Sequence, residues 1–441
     1  MLRRGLTPAA CLAACLLVGG RARADGPVDP SELSGIERPA TRGSEPATAV
    51  ANLMLWPFRL VVDLIFLATG TAGGLLENEQ IVPRARDFFF SRGGELGVFP
   101  TVFLETGLHP SIGVRLIASV EPYAATVRAG YGGPDDNVVE YRMRLSSRVG
   151  FPAVMSLEGY HDRRTGLGYL GVGQTPETDP RNQFRNGPGV GVFRERRERI
   201  VAGFGLRPLA DVEVLLSSSL TQRYVDDPLD LEVGPTLPQV FFPSSIPGAF
   251  RTTRIVYSEV ALRIDSRISR NGVATGVLLE GYGGTAQGIL REPSRFMRTG
   301  FQAAAFLPFI RRSTVLSPRI VMDGLISSED GEVPFRELPG QPSFRGFDNR
   351  RDYVSAVASL DYRWYLMRFL AARLFVDVAR VSPSVSELRL DNLRWATGLG
   401  FDLHTSTSEL GRIAVAGSPE GFHFLFTLGV PAGFGDRQHR D

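Results

Sequence analysis

From about residue 97 onward, apolar and polar residues alternate in short segments of the chain. Residues 139–149 show the pattern: one face carries Val139, Tyr141, Met143, Leu145 and Val149, and the other carries Glu140, Arg142, Arg144, Ser146 and Arg148. Residues 256–267 and 354–364 repeat it. A period of two residues predicts β-strands. Gly, Pro, Asn and Asp separate the segments, and sixteen segments can be counted.

The length and the polar faces of these segments favour a membrane barrel over a soluble sandwich. Most segments have about 9–14 residues, and a transmembrane strand needs about 9–11. Their polar faces carry arginines and acids, which a water-filled or plugged lumen accommodates. A closed barrel satisfies the backbone of a sheet in lipid because it leaves no edge strand. The sequence therefore predicts a sixteen-stranded antiparallel transmembrane β-barrel over residues 97–434.

Three connections between the predicted strands are much longer than the others. They cover about residues 163–190, 226–252 and 327–350. With both termini in the periplasm, all three lie on the same side of the barrel. This is the extracellular side, where long loops are typical.

The N-terminus is predicted to direct export. Residues 1–24 combine Arg3 and Arg4, a short apolar core and Ala22-Arg23-Ala24, as in a cleaved signal peptide. Both cysteines lie inside it, so the mature chain is predicted to have no thiol. The alternative is a lipoprotein signal that ends at Cys15. Residues 25–48, rich in Pro, Gly, Ser and charge, predict a flexible linker.

Residues 49–96 are predicted to be a periplasmic segment. Its apolar stretch, residues 49–76, contains Arg59 and Asp63 four positions apart and predicts an amphipathic helix. A transmembrane helix is the alternative, but each of the two charges would cost about 2.5–3.5 kcal/mol on insertion scales. Residues 435–441 form a C-terminal tail after the barrel.

Composition excludes several other functions. The formal charge of +2 becomes 45 − 47 = −2 once the four arginines of residues 1–24 are removed, so no nucleic-acid partner is predicted. The five histidines show no metal-ligand spacing. Gly166, Gly168 and Gly171 match a dinucleotide motif, but they lie in a predicted loop with no helix after it. With no Gly-x-Ser-x-Gly motif either, we predict no enzyme, cofactor or metal site, and the lipid bilayer as a partner.

Several motifs carry a family resemblance. The third long connection contains FRELPGQPSFRGFDNRR (335–351), followed by SLDYRWYL (359–366) and LFVDVARV (374–381). With these, the chain resembles the BamA/TamA-type outer-membrane assembly barrels, the bacterial surface antigen family. Further matches are GYLGVGQ (168–174), LRIDSRISRNGVATG (262–276) with Asp265, Arg267 and Gly276, and FHFLFTLGVPAGF (422–434) with Phe422, Phe424 and Phe426.

The resemblance implies a loop that is locked inside the barrel. Arg345 of the Arg345-Gly346-Phe347 triplet would enter the lumen and bind Asp377, the acid of the motif that begins at Phe375, with Asp361 beside it. Asp361 and Asp377 both fall on the polar faces of their predicted strands. The alternative is that Arg345 is a solvated loop residue.

The chain also departs from the family pattern. Ala379 stands where the family usually has glycine, and the chain continues beyond Phe434. Residues 25–96 lack the strand and helix pattern of a periplasmic POTRA domain, which receives client chains in the family.

The implied function is assembly or translocation at the outer membrane of a Gram-negative bacterium. Client outer-membrane or secreted proteins would use a lateral seam between the first strand (about 97–107) and the last (about 422–430). A separate periplasmic partner would supply the missing POTRA function. The alternative is a passive porin or a structural surface antigen without insertase activity.

Overall fold

The computed structural model describes residues 95–428, except 106–109, 121, 134–135, 148–151, 229–233, 271–272, 310, 329–331, 348–349, 367–369 and 405–408. The predicted signal peptide, lipidation site, linker and amphipathic helix lie outside the described residues. So do the last residues of the predicted barrel and the C-terminal tail.

The described chain is an all-β antiparallel sheet of seventeen strands. In chain order the strands are β1 (Leu96–Glu105), β2 (Ser111–Val120), β3 (Tyr123–Gly133), β4 (Asp136–Ser147), β5 (Ala153–Tyr169), β6 (Gly191–Leu209), β7 (Val212–Asp226), β8 (Thr252–Asp265), β9 (Ile268–Arg270), β10 (Val273–Gly288), β11 (Arg295–Phe309), β12 (Arg311–Ser327), β13 (Val354–Tyr365), β14 (Leu370–Ser382), β15 (Arg394–His404), β16 (Glu409–Ser418) and β17 (Gly421–Leu428).

Helical structure is limited to single turns in the part of the chain that is described. One α-helical turn, α1 (Leu237–Val240), and two 3₁₀ turns, Pro243–Ser245 and Val385–Glu387, lie in loops. No described helix is long and apolar enough to cross a membrane.

Strand pairing follows the order of the chain. Each strand pairs with its sequence neighbours, except that β8 and β9 both pair with β10, and β1 also pairs with β17. The seventeenth strand arises from a break between β8 and β9, opposite Gly276. Gly276 has a φ of +128°, and the pairing partner of β10 changes there from Asp265 to Ile268. The two segments occupy one position in the strand order, which accounts for the predicted count of sixteen.

The two faces of the sheet invert the usual distribution of a soluble protein. On β8, Val260 is 55% exposed, whereas the neighbouring Glu259 is 5% exposed. The same alternation places Leu216 outside and Glu213 inside on β7, since successive side chains of a strand point to opposite faces. An apolar outer face and an ionic inner face are typical of a sheet that contacts lipid.

The three longest connections meet at one end of the sheet. They are residues 170–190, 227–251 and 328–353, and each follows a strand that runs in the same direction. The first is shorter than predicted because β5 continues to Tyr169. Together with adjacent strand residues, the second and third connections form an apolar cluster, here called the loop cluster: Tyr169, Phe193, Val225, Leu237, Val240, Phe241, Ile246 and Phe335.

Candidate functional site

Residues 328–353, here called the inner loop, fold back onto the inner face of the sheet. A tight turn begins at the fully buried Gln341, whose carbonyl oxygen accepts a hydrogen bond from the Phe344 backbone N–H at 2.8 Å. The Ser355 hydroxyl donates to the Gly340 carbonyl at 2.6 Å, and Arg319 of β12 donates to the Ser343 carbonyl at 3.2 Å. These contacts direct the next residue of the loop toward β13 and β14.

Arg345 binds two aspartates. Its Nε and Nη2 donate to the two carboxylate oxygens of Asp377 at 2.8 and 2.5 Å, and its backbone N–H donates to the same group at 2.9 Å. Nη2 also lies 2.6 Å from Oδ1 of Asp361. Asp377 is 0% exposed, so its charge is neutralised by this arginine rather than by water.

An aromatic ring supports the guanidinium from one side. The Cζ atom of Arg345 lies 3.8 Å from the centroid of the Phe375 ring, a cation–π contact. Burial by itself would lower the pKa of Arg345, but the hydrogen bonds and charges of Asp377 and Asp361 outweigh burial and raise it. The guanidinium therefore remains charged at any physiological pH.

The two residues after Arg345 fill the space beside it. A Cβ atom on Gly346 would lie 2.5 Å from the Phe344 ring, so only glycine fits. The Phe347 ring lies 5.4 Å from the His423 ring, measured between centroids. His423 belongs to β17, and its Nδ1 lies 2.9 Å from the Arg345 carbonyl oxygen, within hydrogen-bond distance. The inner loop therefore contacts the last strand of the sheet.

The alanine that replaces the usual glycine of the family has a defined place. Ala379 is fully buried and packs with Phe344, Val357 and Ala396. Its methyl group lies against the turn that precedes Arg345. The departure at Ala379 is therefore compatible with a tightly packed loop.

The residues of the strand motif form a separate feature at the other end of the sheet. Arg267 Nε and Nη2 donate to the Asp265 carboxylate at 2.7 Å each. A Cβ atom on Gly276 would lie 2.5 Å from the Ser266 carbonyl oxygen. Asp265, Arg267 and Gly276 together make the break between β8 and β9.

The terminal-strand phenylalanines face outward rather than toward the inner loop. Phe422 is 80% exposed and Phe424 is also exposed, while Phe426 is partly exposed. His423 lies between Phe422 and Phe424 on the opposite face and reaches Arg345. In the sequence, His423 alternates with the phenylalanines of the last strand and so falls on its polar face. This position was the one feature of the sequence that could have indicated a contact with the inner loop.

The connection at 170–190 holds the C-terminal end of the inner loop. Gly173 donates its backbone N–H to the Arg351 carbonyl at 2.9 Å. Arg181 donates to both carboxylate oxygens of Asp352 at 2.8 Å each, and to Asp179. Hydrogen bonds from Arg181 to Asp352, then to Asp179, raise the pKa of this arginine. Sequence reasoning missed Arg181 and Asp352, because no motif joins residues so far apart.

Comparisons with known proteins rest on structure. No model of a known protein family matches the chain, and no curated protein matches it. BamA from Haemophilus ducreyi lacking POTRA domains 1–3 is similar, with a TM-score of 0.52 and 10% identity over 76% of this chain and 70% of that chain. CdiB from Acinetobacter baumannii gives a TM-score of 0.45 at 11% identity, over 76% of this chain and 60% of that chain.

Wzi, a carbohydrate-binding barrel involved in capsule assembly in Escherichia coli, gives a TM-score of 0.34 at 8% identity, over 79% of this chain and 86% of that chain. The likeness to this BamA structure supports the fold. The described chain is an all-β antiparallel sheet with a BamA-like fold.

Proposed function

We propose that this protein is a closed barrel in the outer membrane of a Gram-negative bacterium that aids insertion or translocation of client outer-membrane or secreted proteins. The BamA-type fold and the apolar outer face support this proposal. The observation that carries it is the direct pairing of the first described strand with the last. Phe103, Leu104 and Glu105 of β1 pair with Thr427, Phe426 and Leu425 of β17, so the two ends of the described sheet meet along one line, here called the seam.

In this proposal the sheet opens between β1 and β17, while the pairs between strands that are neighbours in sequence stay joined. An opened edge exposes backbone N–H and C=O groups to which a client strand can pair. The two edges of the opened seam would then belong to the first and the last strand of the sheet.

The inner loop is proposed to respond to this opening. The Arg345 carbonyl lies 2.9 Å from His423 of β17, so movement of the last strand reaches the loop directly. In this proposal Arg345, Asp361 and Asp377 lock the loop while the seam is closed. A separate periplasmic protein would deliver clients to the barrel.

A disulfide across the seam tests the proposal. Leu104→Cys with Phe426→Cys places cysteines at paired positions of β1 and β17, and Ile413→Cys with Phe426→Cys provides the matched control between β16 and β17. The assay measures folding of an unfolded eight-stranded outer-membrane barrel into liposomes that contain the protein. We expect the seam disulfide to abolish the acceleration of client folding, and reduction of the disulfide to restore it. The variant with the control disulfide should still accelerate client folding.

Planar-bilayer conductance separates the alternative function. A passive porin would give a large, steady conductance that the seam disulfide leaves unchanged, together with no acceleration of client folding. A structural surface protein would give neither conductance nor acceleration. Either result would contradict the proposed function.

A further inference from the structure

The inner loop has a second ionic anchorage, on β6 and β7. Arg336 donates from Nη2 and Nε to the two carboxylate oxygens of Glu195 on β6, at 2.8 and 3.2 Å. The next loop residue, Glu337, accepts a hydrogen bond from Arg223 on β7. Two adjacent loop residues of opposite charge therefore bind two strand residues of opposite charge.

The four groups form an alternating chain of charges. Arg223 Nε lies 2.6 Å from Glu195 Oε1, which links the two strand residues to each other. Glu195 and Arg223 are both buried. Buried charges are tolerated when each one faces partners of opposite sign, and here Glu195 faces two arginines while Arg223 faces two glutamates.

Further contacts stabilise the same end of the loop. Phe335, directly before the pair, is buried in the loop cluster, with its ring centroid 4.9 Å from that of Tyr169 and 5.5 Å from that of Phe193. Burial would raise the pKa of Glu337, but Arg223 and Arg298 outweigh burial and lower it. Glu337 is therefore ionised at neutral pH.

We infer that Arg336 and Glu337 are positioning residues that form a second lock, which holds the inner loop across the interior independently of Arg345. The partners of the second lock, Glu195 and Arg223, lie on β6 and β7, whereas the Arg345 contacts lie on β13 and β14. Along the shorter path through the sheet, the two sites are separated by β8, β9, β10, β11 and β12. The second lock therefore keeps the loop in the interior when the seam of the proposed function opens.

Neutralising both loop residues tests the second lock. In the variant Arg336→Gln with Glu337→Gln, Glu195 and Arg223 remain paired to each other, so the strands keep their ion pair. Glu332→Gln is the matched control, because Glu332 lies in the same loop and its ion pair with Arg251 of the second connection is partly exposed. A gel shift on heating shows that each variant is folded.

Chymotrypsin reports on both locks, because a phenylalanine lies beside each of them. Cleavage after Phe335 should increase at least about tenfold in the double variant and remain unchanged in the control. In Arg345→Ala, cleavage after Phe347 should increase while cleavage after Phe335 remains slow. Planar-bilayer conductance should become large and steady only when all three substitutions are combined.

Two results would overturn the second lock. One is slow cleavage after Phe335 in the folded double variant, and the other is rapid cleavage after Phe335 when Arg345 alone is replaced. The inference deepens the proposed function by naming residues that hold the same loop. None of these measurements needs a client. The second lock can therefore be refuted while the client-folding assay supports the proposed function, and the proposed function can be refuted while the second lock is supported.

Discussion

Replacing Arg345 by alanine is expected to release the Arg345-Gly346-Phe347 segment of the inner loop while the sheet stays folded. The variant loses two side-chain hydrogen bonds to Asp377, an ion pair with Asp361 and the cation–π contact with Phe375. Removing one partner of a buried ion pair costs about 3–5 kcal/mol. Arg319 also interacts electrostatically with Asp377, so we expect the lower end of this range. About 3 kcal/mol corresponds to about a hundredfold larger population of the open loop.

The rate of chymotrypsin cleavage after Phe347 measures that population. When the loop opens and closes faster than it is cut, the cleavage rate follows the opening equilibrium. Arg196→Ala is the control, because the Arg196 side chain is 51% exposed and pairs with the exposed Glu198 at 2.6 Å. An exposed pair contributes about 0.2–1 kcal/mol, so the control should change cleavage less than about fivefold.

A double-mutant cycle separates the pair from a general loss of packing. Asp377→Asn removes the charge that Arg345 neutralises, so adding it to Arg345→Ala should cost much less than adding it to the wild-type protein. The reasoning is refuted if the Arg345→Ala variant is cleaved no faster than the Arg196→Ala variant. Strictly additive effects of the two substitutions would refute the proposed coupling as well.

Three further outcomes follow from the geometry. Gly346→Ala places a Cβ atom 2.5 Å from the Phe344 ring. It should destabilise the closed loop by about 1–3 kcal/mol, measured by chymotrypsin cleavage after Phe347. Gly276 has a φ of +128°, so Gly276→Ala should lower the temperature at which the gel mobility changes on heating. A Cβ atom on Gly281 meets no atom within 4 Å, so Gly281→Ala should lower this temperature much less. Burial would raise the pKa of Glu337, but Arg223 and Arg298 lower it in the folded protein. Glu337 therefore stabilises the second lock fully above the ordinary glutamate pKa of about 4.3. This stabilisation is lost as the pH falls through the lower pKa of the folded protein. Protection of Phe335 from acid-stable proteases should therefore persist at pH 5 and decrease only below about pH 4.

The fold was accessible from the sequence because its two faces differ so strongly. A pair such as Glu259 and Val260, adjacent positions of opposite character on β8, reveals both the period and the apolar outer face. The all-β antiparallel prediction is confirmed. The break at Gly276 was not predicted as a separate strand, because three residues are too few to show a period.

The ionic contacts of the inner loop were accessible only in part. Asp361 and Asp377 lie near each other in sequence on polar strand faces, so the family motif could relate them to Arg345. Arg336 and Glu195 are separated by 141 positions and belong to no shared motif. Their contact depends on the path of the loop across the interior, which alternation of strand residues does not specify.

The two ends of the inner loop use different chemistry, and the difference fits different roles. At Phe335, aromatic packing adds to the ionic contacts, and apolar contacts lose stability whenever the loop moves into water. Around Arg345, one guanidinium neutralises the buried carboxylate of Asp377 and lies beside Asp361, so this end stays closed unless another cation takes its place. Since His423 connects this second end to β17, in the proposed function it is this end of the loop that responds when the last strand moves. A loop that had to leave the barrel completely would not need the apolar anchor, and a loop that never moved would not need an ionic lock beside the last strand.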